Sequence, residues 1–296
     1  MPLSLSFMPS RSPALNVEPV SADGGGGYPS DPQVEESYAA WVATLSPERR
    51  AWEELLQERL GSTFDGYYLP IYKRDRVQGI PTAWDWVVDD PDLPRGLLIG
   101  DSISRGYTLP VRTYLAGKAN VHRAPENCGS TLSGVRNLDL WLGNGRWDFI
   151  HFNFGLHDSQ TPTLEYERRL REIVERLKAT GAKLIWATTT PRSVHSREDA
   201  ELAWADVRLR VVAARIMKEN EIEVNDLFAA VWPVRSELQN ARDVHFNDRG
   251  YEFLGRKVAE SIEGVLAAMR SDRESPSREW ASAAPESKSA RGKRAP

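Results

Sequence analysis

A chain of 296 residues, 41% apolar and 27% charged, holds enough material for one large domain or two small ones and has the composition of a folded globular protein. Its net charge of -4 argues against a nucleic-acid or anionic-membrane partner, and a single cysteine, Cys128, rules out an internal disulfide. No apolar run approaches the roughly 20 residues of a membrane span, and the first residues lack a basic region, so a cytoplasmic location is the expectation.

Residues 1–31 are rich in Pro, Ser and Gly, with four glycines at 24–27, and read as a disordered tail. Residues 32–95 read as a helical and aromatic arm. Helix is expected over about 32–61, with Ser46 as an N-cap, Pro47 at the first helical position and Gly61 as a C-cap. The stretch from Tyr67 to Pro94 reads as irregular, with Tyr67, Tyr68, Tyr72, Trp84 and Trp86. Those rings either pack the arm onto the main domain or wall a pocket in which they stack on sugars.

From residue 96 to 270 short apolar runs alternate with helical periodicity. Strands are expected at Gly96–Gly100, Val121–Arg123, Asp148–Phe154, Lys183–Thr188 and Glu223–Asn225. Leu164, Leu170, Ile173, Val174 and Leu177 mark one intervening helix, Leu202 to Ile216 a second, and Phe253 to Val265 a closing one. Such alternation predicts an α/β fold: a flavodoxin-like three-layer αβα sandwich with a mostly parallel sheet. Residues 271–296 read as a second disordered tail.

Four segments carry groups suited to chemistry. Gly100-Asp101-Ser102 ends the first apolar run, so the Ser102 hydroxyl sits where a strand feeds a helix and backbone N–H groups are unpaired. Asp243-Val244-His245 pairs an acid with a base; in an extended segment both face one side, and the carboxylate can hold the imidazole in one tautomer. In Gly155-Leu156-His157-Asp158, Gly155 allows close backbone approach and His157 can donate to an oxyanion. Asp158 there either orients His157 or caps the next turn. In Asn127-Cys128-Gly129, the Gly129 N–H can reach the same oxyanion, an ordinary turn being the other explanation. Cys128 reads as a buried, inert thiol.

The order of these motifs resembles that of the SGNH (GDSL) hydrolases, serine esterases and acetylesterases, over about residues 96–268. The Gly155-Leu156-His157-Asp158 run resembles the branch of that family with Gly-Leu-His-Asp in place of Gly-x-Asn-Asp. The resemblance implies Ser102 as nucleophile, His245 as base, and Gly129 and His157 as oxyanion donors beside the Ser102 N–H, with Asp101, Gly155 and Asp158 in support. The family's acid lies three residues before the histidine, where this chain has Arg242. Either Asp243 takes that part or the pair works as a Ser-His dyad.

Position 104 is serine, so the Gly-x-Ser-x-Gly elbow of α/β-hydrolases is missing. Dinucleotide and P-loop glycine patterns are missing too, and the five histidines have no zinc spacing, so no cofactor and no metal are expected. The implied function is hydrolysis of small acyl esters, acetyl foremost, on a carbohydrate or other small molecule. A lipid or thioester acyl hydrolase and a non-catalytic carbohydrate-binding protein are the alternatives. Nothing in the sequence indicates an oligomeric state.

Overall fold

A computed structural model describes residues 30–274; the two expected tails fall outside that range except at their inner edges, where Asp31 caps a helix and residues 271–274 continue one. Three helices come first: α1 (Pro32–Ala43), α2 (Pro47–Ser62) and α3 (Tyr68–Val77). Ser46 caps α2 as expected, accepting the N–H of Arg49. Gly61 is not the C-cap: α2 continues through it to Ser62, and Thr63 ends the helix.

The third helix lies where irregular chain is expected. Pro70 falls in its first turn, where no backbone N–H is needed, so it does not break the helix. Tyr68 and Tyr72, four residues apart, bury one face against Leu56, Leu60 and Trp84 in a small core of the arm's own. At its centre the buried Glu53 carboxylate accepts the hydroxyls of Tyr38 and Tyr72, each at 2.7 Å.

The main domain alternates strand and helix: β1 (Arg95–Ile99), α4 (Ser102–Tyr114), β2 (Asn120–Arg123), α5 (Thr131–Leu142), β3 (Phe149–Phe152), α6 (Thr163–Ala179), β4 (Lys183–Ala187), α7 (Arg197–Glu219) and β5 (Glu223–Asn225). The short α8 (Leu227–Val231) and α9 (Arg235–Leu238) lead to α10 (Asp248–Glu274). The strands form one all-parallel sheet in the order β2-β1-β3-β4-β5.

Alternation of side chains splits the core between the two faces. Leu97, Ile99, Ile150 and Phe152 pack beneath α5, α6 and α7, whereas Leu98, Phe149 and Ile185 pack beneath α4 and α10. The seam between α4 and α10 is close: a Cβ on Gly106 would overlap the Tyr251 ring, and one on Gly255 would overlap Pro110. Because β2 and β3 lie on opposite sides of β1, the chain changes direction there. A crevice therefore opens beyond the carboxyl ends of β1 and β3.

The arm runs beside the edge strand β2. Asn120 donates its amide to the carbonyls of Asp90 and Leu93 and accepts the Asp90 N–H, and Arg112 donates to the Thr82 carbonyl. No helix among the described residues is long and apolar enough to cross a membrane.

One buried group makes stability depend on pH. His151, on β3, is fully buried, with Nε2 3.2 Å from the Asn225 amide nitrogen, and burial pushes its pKa down to about 3. The folded ring stays neutral while the unfolded one, ordinarily near 6.5, takes up a proton. Its contribution to stability is complete above pH 6.5 and is lost as the pH falls towards 3, at about 1.4 kcal/mol per pH unit. Replacing His151 with Phe should flatten urea-measured stability across that window, while the unpaired Asn225 amide adds a pH-independent cost. An equally steep acid loss in the variant would assign it to other groups.

Candidate active site

Ser102 is the first residue of α4, directly beyond β1, and only 6% exposed. Asp101 is the N-cap, its carboxylate accepting the Ile103 N–H at 2.9 Å, which fixes the turn that presents the serine. The same turn is clamped from below by Arg123, the last residue of β2. Its buried guanidinium donates to the carbonyls of Gly100 and Asp101, both at 3.0 Å, and to the Ser104 hydroxyl.

His245 comes from the far end of the chain. Residues 239–247 fold back on themselves through an antiparallel bridge between Gln239 and Phe246, and Asn240 donates its N–H to the His245 carbonyl at 2.9 Å. Arg242 takes the left-handed corner of this turn, at φ 58°. Asp243, one residue on, carries the carboxylate to the ring: its Oδ1 lies 2.8 Å from His245 Nδ1 and also accepts the Val244 N–H at 2.7 Å. The other ring nitrogen, Nε2, is 2.8 Å from Ser102 Oγ. Asn247 closes the segment by capping α10, accepting the Gly250 N–H at 3.0 Å.

Partial burial pushes the Asp243 carboxyl up, but the hydrogen bond and charge of His245, with the N–H groups of Val244 and His245, outweigh it and hold the pKa below the ordinary value. Asp243 is therefore an anion at neutral pH. An anion on Nδ1 keeps the proton there and leaves Nε2 free to accept one from the serine.

The segment with Gly129 is strapped to the end of β1 by the Cys128 N–H, which donates to the Gly100 carbonyl. Gly129 is left-handed (φ 59°), and its N–H donates to the Asn127 side-chain oxygen at 3.2 Å. Beyond β3, a Cβ on Gly155 would overlap the Thr189 hydroxyl, so only glycine allows the chain to pass.

His157 is exposed, and its imidazole packs against the Phe64 ring with centroids 5.4 Å apart; no hydrogen bond holds it among the described residues. Asp158 does not orient it. The buried Asp158 carboxylate turns the other way and accepts the N–H and hydroxyl of Thr131 at the start of α5, and burial outweighs those bonds to raise its pKa. Cys128 is buried and its thiol pushed up to about 12, an inert group.

Ser102, His245 and Asp243 thus form one hydrogen-bonded chain, an arrangement that can deprotonate a serine as it attacks. The sequence reading missed Arg123, Asn127 and Phe64. An arginine closing a buried strand, where a charge needs partners, was the one available signal. Trp84 and Tyr72 are buried in the arm, whereas Tyr67 and Trp86 keep exposed surface. A cavity of about 410 Å³ lies away from this chain of residues, between the arm and the β2 edge, with Trp52, Trp86, Trp141 and Trp147 in its walls. Among the described residues no group of three metal-ligating side chains gathers.

The family model described as the GDSL-like Lipase/Acylhydrolase family matches residues 98–253. No curated protein matches the chain. Among solved structures, a lipase/acylhydrolase from Enterococcus faecalis is 23% identical, with a TM-score of 0.51 over 58% of this chain and 96% of its own. A mutant of an acetyl-xylooligosaccharide esterase from Geobacillus stearothermophilus is 19% identical, with a TM-score of 0.50 over 57% of this chain and 94% of its own. At these identities the likeness is one of fold.

Proposed function

Since the chain belongs to the GDSL-like lipase/acylhydrolase family, carboxylic ester hydrolases, we propose that it is a serine esterase removing small acyl groups, acetyl foremost, from carbohydrate esters. The observation that carries this reading is the unbroken hydrogen-bonded chain from Asp243 through His245 to Ser102. Ser102 Oγ attacks the ester carbonyl while its proton passes to His245 Nε2. The tetrahedral oxyanion is held by the N–H groups of Ser102 and Gly129 and by the His157 ring. Collapse breaks the bond to the alcohol, which leaves with the proton from His245. Water then attacks the acyl-enzyme, gives its proton to His245, and the acid departs as Ser102 recovers its own.

The Gly129 N–H is engaged by Asn127 at only 3.2 Å, a neutral contact that a charged oxygen can displace. The half-exposed rings of Phe64 and Tyr67 support a sugar as the alcohol, since they offer flat apolar faces.

A serine-directed phosphonate tests the reading. One equivalent is expected to label Ser102 and to abolish hydrolysis of p-nitrophenyl acetate, and acetate should be preferred to butyrate by roughly tenfold or more. Sugar binding with no labelling of Ser102 would replace the esterase by the carbohydrate-binding alternative. Faster cleavage of butyrate would favour an acyl hydrolase for longer chains.

A further inference from the structure

The arm lies before residue 98 and so outside the family-matched segment, yet it reaches the site. Between α2 and α3 the backbone turns through three successive left-handed residues, Phe64 (φ 50°), Asp65 (φ 52°) and Gly66 (φ 76°). Glycine takes that conformation freely, but a bulky aromatic residue does so only where its surroundings impose it. Such strain gathers at functional sites, and here it has a visible result. It projects the Phe64 ring, 45% exposed, out of the arm and against the His157 imidazole. A Cβ on Gly129 would also lie 3.8 Å from the Phe64 ring, so one side chain borders both proposed side-on oxyanion donors.

Two anchors on either side of Phe64 hold it there, and both end on the segment that carries Gly129. Arg59, in the last turn of α2, makes a bidentate pair with the buried Glu126, with contacts at 2.8 Å. The Tyr68 hydroxyl, at the start of α3, accepts the Asn127 amide at 3.0 Å, and the other end of that amide accepts the Gly129 N–H. The left-handed turn is thus pinned at both ends to the oxyanion side of the crevice. Among the described residues no hydrogen bond orients the His157 ring, and the Asp158 carboxylate is occupied elsewhere.

From this arrangement we infer that Phe64 is a positioning residue for the esterase. Its strained placement holds the His157 imidazole in the orientation that donates to the oxyanion, so the N-terminal arm is part of the active site. The inference rests on the reading of His157 as an oxyanion donor. A ring edge against the imidazole limits its rotation and removes water from one face, which preserves the donor's direction without adding a competing acceptor.

The test is a double-mutant cycle in the full-length protein, with p-nitrophenyl acetate as substrate. Phe64→Ala is expected to lower kcat roughly tenfold with little change in KM, and Phe64→Tyr, which restores the ring, to regain most of it. His157→Ala alone should cost ~10²–10³ in kcat. In the His157→Ala background, Phe64→Ala should then cost less than about twofold, because its effect acts through the histidine. A merely structural role would lower kcat by the same factor in both backgrounds and would be seen in the circular dichroism melting curve. An equal loss in both backgrounds, or full kcat in Phe64→Ala while His157→Ala is impaired, overturns the role of Phe64 and leaves the site standing. Full kcat in His157→Ala overturns the reading of the donor itself, and the inference with it.

Discussion

Ser102→Ala is expected to reduce turnover of p-nitrophenyl acetate by ~10⁵–10⁶-fold, to the background that the oxyanion donors alone sustain. The size follows from the geometry: Ser102 Oγ is the atom 2.8 Å from His245 Nε2, and no other hydroxyl contacts that nitrogen among the described residues. Stability should change little. The alanine leaves Asp101 capping α4 and the Arg123 clamp on the turn carbonyls untouched, and the partly exposed His245 ring can bond water in place of the lost hydroxyl. Circular dichroism melting alongside the rate measurement separates chemistry from folding. Activity that survives in the alanine variant would end the serine mechanism.

The second large effect is that of Asp243→Asn, expected to lower kcat by ~10²–10⁴. The amide is nearly isosteric, but it presents an N–H as readily as an oxygen to His245 Nδ1. It can therefore favour the tautomer in which Nε2 carries the proton and cannot accept one. It also removes the anion that stabilises the imidazolium. The wide range has a physical source: Asp243 is 41% exposed, so solvent can take over part of the carboxylate's task. Because the carboxyl titrates below the ordinary range, it is fully ionised at neutral pH, and a near-neutral limb in the wild-type rate profile would not be that of Asp243. A variant retaining a tenth or more of wild-type kcat would show that the serine and histidine suffice as a dyad.

Much of this architecture was legible because it is local. The three inner strands β1, β3 and β4 stand where short, largely apolar runs stand, since a parallel strand buried on both faces needs such a segment, whereas the edge strands β2 and β5 carry polar residues. Ser46 and Asn247 cap helices because their side chains answer backbone donors two or three residues ahead, which sequence alone exposes. Asp243 and His245 do meet, but through a bend at residues 243–245 that follows the left-handed Arg242 rather than through the extended chain expected. What depended on packing was hidden. The helix Tyr68–Val77 read as irregular because proline and clustered aromatics hide a pattern whose apolar partner, Trp84, lies well ahead in the chain. Asp158 could have served two neighbours, and only the position of Thr131 decides between them. The left-handed backbone at Phe64 could not be read from a phenylalanine, and the anchors that flank it, at Glu126 and Asn127, lie about 60 residues further along the chain.

The close seam between α4 and α10 also bears on how activity arises in time. It joins the helix that begins with Ser102 to the one that follows His245, groups 143 residues apart in the chain. Contacts of such separation carry a large loop-closure entropy and tend to form late. An intermediate that has assembled the sheet but not docked its last helix would be folded in most respects and still inert. Recovery of ester hydrolysis during refolding is therefore expected to trail formation of the sheet, and substitutions along that seam are expected to delay it further.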